Sequence, residues 1–142
     1  MITLEQPTND LVTKLYILID KDREYYSVLP WAATCTELSL IRFFEDKKHT
    51  QDIIYVICNG NTPVGVIDGR VANDTIDIGY WIGKHYSSQG YTTTAVKKFI
   101  TDVNARVFTA RALKTNIESN RVLEKAGFDK IRTDNLFNYY SF

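Results

Sequence analysis

The sequence predicts an α/β fold in which helices flank a mixed β-sheet. Apolar residues recur at helical spacing in the first third of the chain, and at strand spacing from about residue 52 to 82. Helical and strand-like segments then alternate, and a predicted helix joins the strands near 75–82 and 106–113. Because such a crossover connects parallel strands, we expect these two to be parallel within a single domain that spans residues 1–142.

A first helix is predicted from about residue 9 to 20, behind a short opening strand and capped by one of the polar residues 8–10. An aromatic-rich loop over 21–33 follows, and Thr36 is placed to cap a second helix over about 36–47. The side chains predicted to face the core from these two helices are Leu11, Leu15, Leu18, Ile19, Leu38, Ile41, Phe43 and Phe44.

A three-stranded meander is predicted next, over about 52–58, 63–71 and 75–82. Its first turn contains Asn59-Gly60, the dipeptide that most strongly indicates a short hairpin. The remaining predicted elements are a helix over 92–103 with Ala95, Val96 and Phe99 buried, a strand over 106–113, a helix over 117–126 ended by Gly127, and strands over 128–132 and 136–142.

Composition and charge exclude several classes of function. Seventeen basic side chains balance seventeen acidic ones, so no overall field favours nucleic acid or an anionic membrane as a partner. No window approaches the roughly 20 apolar residues of a membrane span, and the first ten residues do not resemble a secretory signal, so we expect a cytoplasmic protein. Cys35 and Cys58 lack metal-ligand spacing, which predicts reduced core thiols and no metal site.

The polar loop after Ile82, between a buried strand and a helix, is a predicted anion site. Such a junction directs unpaired backbone N–H groups and the positive end of the helix dipole to one point, which suits the phosphates of a nucleotide cofactor. A dinucleotide-binding Rossmann domain is disfavoured, because Gly90 stands alone where that fingerprint has three glycines.

Two sequence signatures carry a resemblance to a known family. The first is Ile-Gly-Tyr-Trp-Ile at 78–82, followed by Gly-Tyr-Thr-Thr-Thr-Ala at 90–95. The second is Asn-x-x-Ser-x-Arg-Val-Leu-Glu-Lys-x-Gly-Phe at 116–128. Together with Leu-Pro-Trp at 29–31, they resemble the GNAT superfamily of acyl-CoA-dependent N-acetyltransferases, and within it the RimJ/RimL branch that acetylates ribosomal proteins.

The resemblance implies a mostly antiparallel, twisted sheet whose two parallel central strands splay apart, with acetyl-CoA bound in the gap as co-substrate. Pantetheine would bond to backbone groups near Trp81 and Ile82, which need a partner where the strand has none. Asn116 would hold the pantetheine amides. The residues expected around the pyrophosphate are Ser87, Ser88, Gln89, Gly90, Tyr91, Thr92 and Thr93.

The pyrophosphate loop departs from the family's pattern of Arg or Gln, two residues, Gly, one residue, then Gly or Ala. Only Gly90 of that pattern is in place. If Ser88 takes a positive φ, as the glycine common at that position suggests, serine costs roughly 1 kcal/mol there. We expect the hydroxyls of Thr92 and Thr93 to reach phosphate oxygens and to compensate.

Acetyl transfer needs a deprotonated amine, donors for the carbonyl oxygen and a proton for the departing thiolate. The resemblance points to Ser119 as the proton donor, although Asn116 and Ser119 could instead be a helix cap and a first-turn hydroxyl. Asp77 is the first candidate for the base, although it could be a solvated carboxylate at a strand end. The other candidates are Glu118 and His85 as bases, and Tyr80 and Tyr91 as proton donors.

The sequence therefore predicts an N-acetyltransferase that moves an acetyl group from acetyl-CoA to a primary amine by direct attack in a ternary complex. The branch implies a protein N-terminal α-amino group as acceptor. The alternatives are a small amine, such as a polyamine or an aminoglycoside, or a non-catalytic acyl-CoA-binding module. We expect a monomer or a homodimer. Acidic and aromatic side chains that favour a cationic acceptor are Asp20, Asp22, Glu24, Tyr25, Tyr26 and Trp31.

Overall fold

A computed structural model describes residues 1–26 and 30–142, with Pro30 as backbone only. Leu29 of the Leu-Pro-Trp signature lies outside the described residues. The elements are β1 Ile2–Glu5, α1 Asn9–Lys21, α2 Pro30–Ala33, α3 Glu37–Lys47, β2 Ile53–Asn59, β3 Thr62–Ala72, β4 Thr75–Ile82, α4 Tyr91–Asp102, β5 Val107–Leu113, α5 Ile117–Lys125, β6 Asp129–Thr133 and β7 Phe137–Ser141. This order confirms the predicted fold, with the short helix α2 as an addition.

The seven strands form one sheet in the order β1-β2-β3-β4-β5-β7-β6. Every neighbouring pair is antiparallel except β4 and β5, which are parallel as predicted. Only three residue pairs join β4 to β5, and the last of them is Asp77 with Thr109. From there β5 continues beside β7 to Leu113, so residues 78–82 of β4 have no strand partner on the β5 side among the described residues. The two strands therefore open into a gap.

The two faces of the sheet carry separate hydrophobic clusters. Ile76 and Ile78 of β4 pack with α4 and α5, around a fully buried Phe99. Trp81 packs on the opposite face, in the cluster formed by α1, α2 and α3. Because side chains alternate along a strand, β4 contributes to both clusters and separates them at the gap.

Local signals fix the ends of the helices. Thr8 caps α1 by accepting the Leu11 N–H, and Thr36 caps α3 in a reciprocal capping box with Ser39. Both starts agree with the predicted ones. Gly127 follows α5 with a φ of 97°, as expected for a residue that ends a helix.

The predicted inward face of α3 is wrong at two positions. Leu40 and Phe44 are the buried residues of this helix, and Ile41 packs beside them. Leu38 is 56% exposed and Phe43 is 42% exposed. Two residues along an α-helix turn the side chain by about 200°, so Leu38 points away when Leu40 faces the sheet.

Cys35 and Cys58 are free and buried, as predicted. Among the residues that the structure describes, no helix is both long enough and apolar enough to cross a membrane.

Candidate active site

A cleft of about 150 Å³ opens where the loop after β4 enters α4. Its walls come from that loop, from the first turn of α4 and from one face of α5. The residues that line it are Tyr86, Ser88, Gly90, Tyr91, Thr92, Thr93, Glu118, Arg121, Val122 and Lys125. Six of them belong to the stretch 86–93, where the sequence predicted an anion site.

Two residues of this loop have a left-handed backbone conformation. Ser88 has a φ of 60° and Gly90 a φ of 79°, so the positive φ expected at Ser88 is confirmed. These two residues turn the chain between Ser87, which is extended, and the first turn of α4. Gly90 starts α4 without a side-chain cap, which leaves the N–H groups of the first helical turn available to an anion.

Two side chains of the loop stabilise its own backbone. Ser87 Oγ donates to the Lys84 carbonyl at 2.8 Å, and Gln89 Nε2 donates to the His85 carbonyl at 2.9 Å. Tyr91 is partly buried against the α4 cluster, and its hydroxyl accepts a hydrogen bond from Asn59. Thr92 and Thr93 face the cleft, as the expected compensation for the altered loop requires.

A carboxylate from α5 occupies part of the same cleft. Glu118 Oε1 accepts hydrogen bonds from the Ser88 N–H at 2.9 Å and from the Ser88 hydroxyl at 3.2 Å. Glu118, named above as an alternative base, therefore contacts the anion loop rather than the gap between β4 and β5.

Two cations that sequence reasoning missed line the cleft on α5. Arg121 and Lys125 are one helical turn apart and are both exposed. Their spacing of four residues, within a signature already recognised, is the signal that could have identified them. They supply positive charge that the loop residues lining the cleft lack.

The start of α5 shows Asn116 as a helix cap. Asn116 Oδ1 accepts the Ser119 N–H at 3.1 Å, which matches the cap interpretation for that oxygen. The Ser119 hydroxyl lies 2.8 Å from the Tyr80 hydroxyl, across the gap from β4.

Tyr80 is mostly buried, and burial raises its pKa to about 12 against the smaller, opposite effect of the hydrogen bond with Ser119. The phenol therefore stays protonated at neutral pH. It stands on the α5 side of β4, three residues after the last pair with β5. The structure thus couples two predicted proton donors, Ser119 and Tyr80, at the mouth of the gap.

Two carboxylates lie on the opposite face of the sheet. Asp77 accepts a hydrogen bond from Thr109 Oγ1 at 2.9 Å and forms an ion pair with Arg70. Asp68, on the neighbouring strand β3, was not identified from the sequence. Its side chain is 19% exposed, and burial raises its pKa.

The predicted acceptor region packs around Trp81. The Trp81 ring lies 5.3 Å from that of Tyr26 and 6.0 Å from that of Trp31. Tyr26 is buried, whereas Tyr25 and Trp31 are each about half exposed. Two acids of this region have partners. Asp20 forms an ion pair with Arg23, and Asp22 lies 3.2 Å from His85 in the loop after β4.

Residues 2–129 match the family model described as acetyltransferase (GNAT) domain. The chain belongs to this family. The GNAT assignment makes it an acyltransferase that uses acetyl-CoA as co-substrate. No curated protein sequence matches the chain significantly.

Solved structures with the same fold include acetyltransferases. The microcin C7 self-immunity acetyltransferase MccE, in complex with acetyl-CoA and AMP, is 24% identical, with a TM-score of 0.84 over 99% of this chain and 91% of that one. The RimL ribosomal L7/L12 α-N-protein acetyltransferase with coenzyme A is 18% identical, with a TM-score of 0.86 over 99% and 93%.

A third structure is the Salmonella typhimurium acetyltransferase that modifies the N-terminal serine of ribosomal protein L7/L12. It is 17% identical, with a TM-score of 0.78 over 99% of this chain and 94% of that one. At these identities the similarity shows the fold. The RimJ/RimL resemblance is confirmed at that level by the two L7/L12-modifying enzymes.

Proposed function

We propose that this GNAT enzyme acetylates a primary amine by direct attack on acetyl-CoA in a ternary complex, and that the amine is a protein N-terminal α-amino group. The observation that carries the proposal is the gap between β4 and β5. It has an N–H-rich cleft on one side and a carboxylate-bearing face on the other. An anionic thioester and a cationic amine can therefore approach from opposite sides.

In this proposal the cleft holds the nucleotide end of acetyl-CoA. Backbone N–H groups of the loop and of the α4 start bind the pyrophosphate, and Arg121 and Lys125 add charge. Pantetheine lies along the unpaired edge of β4 and bonds to the backbone near Trp81 and Ile82, with Asn116 on its amides. The pyrophosphate loop comprises Ser87, Ser88, Gln89, Gly90, Tyr91, Thr92 and Thr93.

The proton for the departing thiolate comes from the Tyr80–Ser119 pair. Both hydroxyls are within hydrogen-bond distance of each other at the gap. The raised pKa of Tyr80 keeps the phenol protonated at neutral pH, so its proton is present when the thiolate departs. The family resemblance pointed to Ser119 for this role, with Tyr80 as another candidate donor, and the contact joins the two.

The acceptor side favours a cation. Carboxylates lie beyond the gap, and the exposed rings of Tyr25 and Trp31 flank Trp81. The L7/L12-modifying neighbours favour a protein N-terminus. A small amine remains the second candidate, since the neighbour MccE was crystallised with AMP, a small molecule. The non-catalytic alternative is not retained, because the family is that of acyltransferases.

The proposal also includes a cytoplasmic enzyme that acts as a monomer or a homodimer without a nucleic-acid or membrane partner. The balance of seventeen basic and seventeen acidic side chains supports the last point.

The first experiment is calorimetric titration with acetyl-CoA, with NADH as the control nucleotide. Thiol release is then followed with a peptide that begins with serine, the same peptide with a blocked N-terminus, spermidine and kanamycin. Turnover of the free peptide but not of the blocked one supports the proposal. Turnover of spermidine or kanamycin alone would select the small-amine function, and tight acetyl-CoA binding without any turnover would contradict both.

A further inference from the structure

Asp77, the base expected from the sequence, is already engaged by two partners. Thr109 donates a hydrogen bond to one carboxylate oxygen, and Arg70 pairs with the other. Its side chain is 43% exposed. Both contacts hold the carboxylate in place. These contacts tie Asp77 to β5 through Thr109 and to β3 through Arg70, so Asp77 holds the strands together where the gap starts.

Asp68 has the opposite surroundings. It lies in the middle of β3, and its carboxylate forms no hydrogen bond within the part of the chain that the structure describes. The nearest cation is Lys47 Nζ at 3.9 Å, and that ammonium is held at 2.9 Å by Asp52. A carboxylate that is mostly buried and weakly paired is the kind of group that accepts a proton readily.

Gly79 gives this carboxylate access to the gap. Asp68 and Gly79 are directly opposite each other in the β3–β4 pairing. A Cβ atom on Gly79 would lie 2.8 Å from Asp68 Oδ1, so the carboxylate occupies the space that a side chain would fill. Gly79 is two residues beyond Asp77, the last residue of β4 that pairs with β5. Asp68 therefore overlies the β4 backbone where the gap begins.

We propose that Asp68 is the catalytic base that takes the proton from the acceptor ammonium. This inference rests on the function proposed above. The neutral amine then attacks the thioester carbonyl carbon, a C–N bond forms and the C–S bond breaks. The Tyr80–Ser119 pair protonates the thiolate and regains a proton from the amide nitrogen. The proton on Asp68 leaves to solvent, so the net products are the amide, free coenzyme A and one proton.

The charges around Asp68 act in both directions. Burial is the largest effect and raises its pKa, which moves the base toward the working pH. The charged groups that face it come from each neighbouring segment: Lys47 on α3 and Arg70 on β3 lower its pKa, while Asp52 ahead of β2 and Asp77 on β4 raise it.

The test is the pH dependence of turnover with the serine peptide and acetyl-CoA. Asp68→Asn should lower kcat by about 100-fold, the typical contribution of a general base, and should remove the acidic limb of the kcat/KM profile. Acetyl-CoA affinity, measured by calorimetry, should not change. Asp68→Glu should restore part of kcat. Asp46→Asn, on the exposed side of α3, is the charge-matched control.

Three outcomes would overturn the inference. The acidic limb and kcat could survive in Asp68→Asn. The limb could disappear in Asp77→Asn instead. A higher KM for the peptide with unchanged kcat would show that Asp68 binds the ammonium without taking its proton. If the wild-type enzyme turns over no amine, the proposed function fails rather than the choice of base.

Gly79→Ala provides a test that leaves both carboxylates in the chain. The added methyl group would press against Asp68 Oδ1 and displace it from the gap. We expect a lower kcat with an unchanged circular dichroism spectrum. Full activity in a folded Gly79→Ala protein would contradict the proposed path between Asp68 and the acceptor.

Discussion

The anion cleft at the start of α4 and the face that carries Asp68 and Asp77 lie on either side of the same strand, but they collect opposite charges. The cleft gathers backbone N–H groups, Arg121 and Lys125, with one carboxylate, Glu118. The other face gathers carboxylates, with Lys47 and Arg70 between them. The net charge of the chain is zero, so the overall composition does not reveal that these two regions differ in charge. The charges that would attract the two proposed substrates are visible only in the local arrangement.

The alternation of side chains along β4 makes the separation possible. Tyr80 points to α5 and pairs with Ser119, whereas Trp81 packs with the helices of the other face. Gly79, just before these two residues, has no side chain and so leaves room for the Asp68 carboxylate. In the proposed mechanism, this one strand end therefore supplies a proton donor to one side and access to a carboxylate on the other.

The largest predicted effect comes from the proton donors at the boundary between the two regions. Tyr80→Phe and Ser119→Ala should each lower kcat by about 100-fold, because the thiolate would then leave without its proton. The KM for acetyl-CoA should change little. Steady-state kinetics of thiol release provides the measurement.

The double variant distinguishes a coupled pair from two independent contributions. If Tyr80 and Ser119 act as one unit, the double variant should be no slower than the slower single variant. Multiplied losses would contradict the coupling.

Removal of the cations should affect only the cleft. Arg121→Ala and Lys125→Ala should each weaken acetyl-CoA binding by about tenfold, the size of one charge-assisted contact to a phosphate. The loss should be smaller at high salt, because both side chains are exposed. Calorimetry at two salt concentrations measures this, with Lys97→Ala on the exposed side of α4 as control. Equal losses in the control would indicate a nonspecific charge effect.

The threonines of the α4 start test the compensation inferred for the altered loop. Replacement of both Thr92 and Thr93 with alanine should weaken acetyl-CoA binding by about tenfold, because two hydroxyls lose their phosphate contacts. Alanine favours the helix more than threonine does, so α4 itself should not suffer. Unchanged affinity in this double variant would remove the hypothesis.

Local sequence patterns predicted the features that depend on local geometry. The caps at Thr8 and Thr36 and the parallel β4–β5 pair were all predicted correctly. Each follows from a few adjacent residues or from the handedness of a crossover. The phase of α3 was wrong at Leu38 and Phe43, because the core that selects a helix face is made by other elements.

The features that sequence missed depend on register between distant segments. Asp68 acquires its position only because β3 and β4 pair so that it lies opposite Gly79. Arg121 and Lys125 face the cleft only because α5 packs beside the start of α4. Neither the pairing register nor the packing of α5 can be read from local sequence patterns.

A smaller effect is expected from the one carboxylate in the cleft. Glu118 accepts two hydrogen bonds from Ser88, the same donors that a pyrophosphate oxygen would use. Glu118→Gln should therefore tighten acetyl-CoA binding severalfold, because a competing charge is removed and the loop donors are freed. Asp102→Asn, exposed at the end of α4, is the matched control. Weaker binding in Glu118→Gln would mean that Glu118 instead holds the loop in its binding geometry.

The smallest effect concerns stability on the opposite face. The pKa of Asp68 is raised above its ordinary value of 3.8, chiefly by burial, so the folded state favours the neutral acid. This contribution to stability is fully present below the unfolded pKa and is lost as pH rises through the folded pKa. At neutral pH the buried charge lowers the free energy of unfolding.

Asparagine cannot ionise, so Asp68→Asn should raise Tm by a few degrees at neutral pH, while the two proteins should converge below the ordinary aspartate pKa. Thermal unfolding followed by circular dichroism at both pH values measures the difference. A variant that is more stable and less active would show that the fold keeps a buried charge for catalysis. A lower Tm at neutral pH would mean that Lys47 stabilises the Asp68 carboxylate by more than burial destabilises it.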